Sequence, residues 1–64
     1  MRKNLIMWEI ENGYKAKWVA DKLGISRASW FKIKRGKANP SIELAYRFNE
    51  AFPEEDVLEL FKNI

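Results

Sequence analysis

The side chains of this 64-residue chain best suited to chemistry are its cations. There is no histidine and no cysteine, which removes the commonest general base, the commonest metal ligand, thiol chemistry and any disulfide framework. The acids lie mostly toward the C-terminal end, where helix capping and solubility account for them, so neither an enzyme nor a cofactor is expected. Twelve Lys and Arg stand against nine Asp and Glu, a net charge of +3, but the distribution is uneven. Residues 1–39 hold ten Lys/Arg and three Asp/Glu, a balance of +7, whereas residues 40–64 hold two and six, a balance of −4. A positive half of this kind is the electrostatic footprint expected of a protein that meets phosphates.

The elements that must position those cations are legible between Ala16 and Arg35, AKWVADKLGISRASWFKIKR. Val19, Leu23, Ile25, Trp30 and Ile33 give two short amphipathic helices. Ala20 is small where two helix backbones must approach, and Gly24 stands where the first helix ends and the chain needs positive φ. The pattern reads as a helix-turn-helix, whose second helix enters the major groove of DNA.

The whole chain reads as one small all-α domain of five helices, residues 1–64, viable without staples. Helix one is predicted over Lys3 to Asn12, stopping at Gly13, and helix two over Ala16 to Leu23. Helix three starts after the N-cap Ser26 and ends before Gly36. A loop follows, Gly36-Lys37-Ala38-Asn39-Pro40. Ser41 caps helix four, which places Ile42, Ala45, Phe48 and Phe52 on one face. Pro53 suits the first turn of helix five, with Glu54, Glu55 and Asp56 complementing its dipole. Val57, Leu58, Phe61 and Ile64 then face the core or a partner. The longest apolar run, Leu5 to Trp8, is too short to span a bilayer, and Glu9 and Glu11 interrupt any signal peptide, so a cytoplasmic location is expected.

The run KWVADKLGISRASWFKIKRGKANPSIELAYRFNEAF resembles the Cro/repressor-type (lambda-repressor-like) helix-turn-helix family. The resemblance rests on the A-D-K-L-G-I-S-R core, the R-G-K-x-N-P loop and the P-S-I-E-L-A start of helix four. It implies a compact all-α domain that binds double-stranded operator DNA, usually as a homodimer on a two-fold site. It also implies that Ser26, Arg27, Ala28, Phe31, Lys32 and Arg35 face the DNA. Helical periodicity agrees independently, since Trp30 and Ile33 turned inward leave Arg27, Phe31 and Lys32 opposite. Arg27 suits guanine O6 and N7, and Lys32 suits guanine or a phosphate. The methyl of Ala28 allows close approach or contact with thymine. Ser26 and Arg35 join Lys15, Lys17, Lys37 and Asn39 as candidates for backbone contacts. Phe31 has three readings: contact with a thymine methyl, partner binding, or packing against the loop after Gly36.

Two departures from the family pattern carry predictions. Lys15 stands where a capping Ser or Thr is usual, and Ala16 where a phosphate-binding glutamine is usual. The family often pairs an arginine in helix one with a glutamate near the end of helix three; the matching positions are Glu9 and Lys34, with the signs reversed. An ion pair between them is expected. Trp8 and Trp30 read as core. Trp18 reads as exposed, where it stacks along a sugar-phosphate backbone, covers helix one or binds a protein. The chain has no room for a separate dimerisation domain, so a dimer is expected through helix five, with Leu58, Leu60, Phe61 and Ile64. The functional expectation is a small repressor of a phage, plasmid or mobile element. The alternative is an antirepressor-like protein-interaction module that uses Trp18, Phe31 and helix one.

Overall fold

The computed structural model describes residues 1–63, and within them every regular element is helical. The elements are α1 (Lys3–Asn12), α2 (Ala16–Leu23), α3 (Arg27–Lys34), α4 (Ile42–Ala51) and a single turn, α5 (Val57–Leu60). The first three match the sequence expectation because their ends are set by local chemistry. Gly24 has φ +71 and closes α2, with the Ile25 N–H donating to Ala20 O at 3.0 Å, a Schellman ending. Two residues later Ser26 opens α3, its Oγ accepting from the Ser29 N–H at 3.1 Å. A helix stop and a helix start this close together turn the chain sharply, and α2 and α3 pack closely as a result.

The core is one cluster: Leu5 and Trp8 of α1, Val19, Ala20 and Leu23 of α2, Trp30 and Ile33 of α3, Leu44 and Phe48 of α4. Aromatic rings connect it. Trp8 lies against Tyr14, Phe48 and Phe52 at 4.9–5.3 Å between centroids, and Phe61 bridges Phe48 at 5.1 Å and Trp30 at 6.5 Å. Trp8 and Trp30 are both buried, as expected. No helix among the described residues is long and apolar enough to cross a membrane.

The second half departs from expectation in two places. The buried stripe of α4 is Leu44 and Phe48, continued by the half-buried Ala51 and Phe52; Ile42 is 78% exposed and Ala45 only half-buried. Phe48 and Phe52 of the expected face thus turn inward, and Leu44 takes the place of Ile42 beside them. Pro53 does not open α5. It ends α4, because it has no N–H to continue the ladder, and Glu55 then closes a turn onto Phe52 O. Asp56 is the actual cap of α5, accepting from the Glu59 N–H at 3.2 Å.

Candidate nucleic-acid interface

Helix α3 has a back that is fixed and a front that is open. On its back Trp30 and Ile33 enter the core, and so does Lys34. Lys34 Nζ lies 2.6 Å from Glu9 Oε1, both side chains only 8% exposed, so the expected ion pair exists and is buried. The other carboxylate oxygen of Glu9 accepts from Trp30 Nε1, also at 2.6 Å. A buried pair is costly to desolvate unless its remaining hydrogen bonds are met; the indole N–H meets one of them and ties α1 to α3 at two points.

A second buried cation holds the end of α3, and nothing in the sequence assigned it. Arg2 is 4% exposed. Its Nη1 donates to Ile33 O at 2.7 Å and Ala38 O at 3.0 Å, its Nε to Phe61 O at 3.1 Å, and its Nη2 to Asn39 Oδ1 at 3.1 Å. The Arg2 N–H also donates to Lys34 O at 2.8 Å. Its side chain forms no ion pair with a carboxylate among the described residues. The guanidinium is instead compensated by carbonyl dipoles and by the negative end of the α3 macrodipole. These contacts span up to 59 positions of sequence, which is why no local pattern reveals them.

The front of α3 follows from helix geometry. At about 100° per residue, Ala28, Lys32 and Arg35 lie nearly opposite Trp30, with Arg27 and Phe31 on one flank. All five are exposed. The charged groups of Arg27, Lys32 and Arg35 form no hydrogen bond or ion pair among the described residues. Phe31 is 38% exposed, and its ring is partly covered by charge: Lys34 Nζ lies 4.4 Å from the centroid and the Arg35 guanidinium carbon 5.9 Å.

The other expected contact residues fall into two groups. Lys15, Lys17 and Lys37 are exposed and unpaired among the described residues. Lys15 occupies the N-cap of α2 without any side-chain hydrogen bond to it, leaving the first N–H groups of that helix open. Ser26 and Asn39 are already engaged. The Ser26 hydroxyl donates to Ser29 Oγ at 2.9 Å while capping α3, and the Asn39 carbonyl oxygen serves Arg2, leaving only its amide N–H groups to donate elsewhere.

Trp18 is 43% exposed and covers an aromatic shelf, 4.7 Å from the Tyr14 centroid and 6.0 Å from Phe52, with Lys22 Nζ 5.1 Å over its own ring. Arg47, which no sequence pattern singled out, braces the turn before α3 by donating to Leu23 O at 3.3 Å while pairing with Glu43. Of the three described residues expected on a dimer surface, only Leu58 is presented to solvent. Leu60 and Phe61 pack against the core, and Ile64 lies outside the described residues. Leu58 instead joins Ile42, Ala45, Tyr46 and Val57 around a groove of about 420 Å³ between α4 and α5.

No family model matches the chain, and no curated protein or solved structure does either.

Proposed function

We propose that this chain is a sequence-specific regulator of the Cro/repressor type that reads double-stranded DNA through α3. The observation that carries the reading is the asymmetry of that helix. Its back is locked by Trp30, Ile33, the Glu9–Lys34 pair and Arg2, while its front offers Arg27, Lys32 and Arg35 unpaired. Cations left without protein partners on a rigid helix suit guanine edges and phosphates, which reward pre-organised donors. Lys15, Lys17 and Lys37 extend the same positive character to the start of α2 and the loop after α3.

A random-oligonucleotide selection at low salt tests this reading. An enriched site is expected, with half-sites about 34 Å apart centre to centre if two copies bind as a dimer. Arg27→Ala should relax the preference at one base pair, whereas Lys15→Ala should weaken every sequence alike and reduce the salt slope by about one. If no sequence is enriched and binding does not fall with salt, the regulator reading is wrong. The apolar groove between α4 and α5 favours a second reading, a protein-interaction module of the same fold. That reading predicts binding that stays nearly constant with salt.

A further inference from the structure

We infer that Glu9 and Lys34, neither of which faces outward, set part of the base preference of α3 by fixing the ring of Phe31. This rests on the DNA-binding reading above and concerns what makes that binding selective. Three contacts meet at Lys34 Nζ: Glu9 Oε1 at 2.6 Å, the Phe31 ring centroid at 4.4 Å and the Trp30 ring centroid at 5.9 Å. The carboxylate cannot swing away from the ammonium, because Trp30 Nε1 holds its other oxygen at 2.6 Å and Trp30 itself is fully buried. Glu9 therefore has one position, Lys34 has one, and the ring beneath Lys34 is held in turn. Arg35 adds a second cation at 5.9 Å from the same centroid.

The consequence for recognition follows from the range of the forces. An unrestrained aromatic on a helix surface moves between two χ1 rotamers. Dispersion with a single methyl group fades within about 1 Å of the optimum distance, so a moving ring distinguishes methyl from hydrogen poorly. A ring pinned from one side and open on the other can hold contact with the C5-methyl that marks thymine in the major groove. Arg27 and Lys32 read polar edges; Phe31 supplies the apolar term, and Glu9 and Lys34 act as its positioning residues. Both are buried, so neither adds a phosphate contact.

The test replaces each thymidine of the selected site, one at a time, by deoxyuridine, which removes only the methyl. The wild type should lose about fourfold in affinity at one position, the worth of one buried methyl-sized group, and Phe31→Ala should show no loss there. The double variant Glu9→Gln/Lys34→Met leaves no buried charge unpaired, and the amide oxygen introduced by Glu9→Gln can keep the Trp30 contact. It should lose less than about twofold at that position, while its slope of affinity against salt stays that of the wild type. Full methyl sensitivity in the folded double variant overturns the inference. So does the absence of any methyl-sensitive position in the wild type, and both results leave salt-dependent DNA binding standing. Loss of that binding altogether removes the underlying reading instead. Independently of any variant, χ1 couplings of Phe31 in the free wild-type protein should report one rotamer, and averaging between two overturns the inference.

Discussion

Arg2→Met removes the buried guanidinium while keeping much of its aliphatic volume, and its cost can be worked from the acceptors left behind. Four acceptors lose a donor. Ile33 O retains the Gly36 N–H at 3.1 Å, and Asn39 is exposed enough to find water. That leaves Ala38 O and Phe61 O as the groups most exposed to the loss. An orphaned acceptor costs about 1–3 kcal/mol, less where solvent reaches it, so the total should be roughly 2–4 kcal/mol. A 64-residue domain has only about 3–10 kcal/mol of stability to lose, and a loss of this size lowers Tm by roughly 10–25 °C. Thermal and urea unfolding followed by tryptophan fluorescence measures it. Arg2→Lys separates charge from geometry: an ammonium keeps the charge but cannot reach acceptors spread around a planar fork, so it should recover less than half of the loss. Added salt should leave the difference unchanged, because the group is buried. If Arg2→Met unfolds within about 0.5 kcal/mol of the parent, the clamp is decorative and the account of how α3 is held fails.

Three further outcomes follow from the same contacts. In a double-mutant cycle of Glu9→Gln and Lys34→Met, each single change should cost about 3–5 kcal/mol by stranding a buried charge, and the double should cost less than either; additive losses would remove the pair from the stability account. Gly24→Ala should cost about 1–2 kcal/mol, because its φ of +71 suits only glycine. An added Cβ would also lie 3.2 Å from Arg47 Nη1 and push that brace by a few tenths of an ångström; an unchanged urea midpoint would contradict the strain. Lys15→Ser should stabilise the free protein by about 1 kcal/mol by supplying the missing cap of α2, while weakening DNA binding for all sequences equally. A variant that neither gains stability nor loses affinity would show that Lys15 is an idle surface charge.

What the sequence made legible were features whose physics is local. Gly13, Gly24 and Ser26 set helix ends through their own dihedrals and hydroxyls, so α1, α2 and the start of α3 were placed to the residue. The Glu9–Lys34 contact lies 25 positions apart, yet it was reachable because the resemblance supplied the pairing and only the signs had to be exchanged. Arg2 was not reachable. Near the chain start it reads like any surface cation, and its acceptors are backbone carbonyls with no sequence signature. The face of α4 was half legible: Phe48 and Phe52 turn inward as expected, but Leu44 rather than Ile42 joins them, and tertiary packing, not the local pattern, decides between those two. Leu60 and Phe61 are drawn off the expected dimer surface because they pack against the core, Phe61 beside Trp30 and Phe48, while Leu58 on the same turn stays exposed.

The distribution of caps bears on function more than any single contact does. Ser26, Ser41 and Asp56 each cap a helix with a side-chain oxygen; the two helices without one begin after cations, Arg2 and Lys15. A cation at a helix start opposes the dipole, so both positions need a compensating gain. For Arg2 the gain is inside the protein, where the side chain turns away to the carbonyls at the end of α3. For Lys15 the folded chain supplies none: the side chain is exposed, makes no hydrogen bond or ion pair among the described residues, and leaves the first N–H groups of α2 without a side-chain cap. An anion at that helix start would satisfy those N–H groups and the lysine together. Under the proposed DNA-binding reading, a backbone phosphate at the start of α2 would be that anion, and the Lys15→Ser variant tests it.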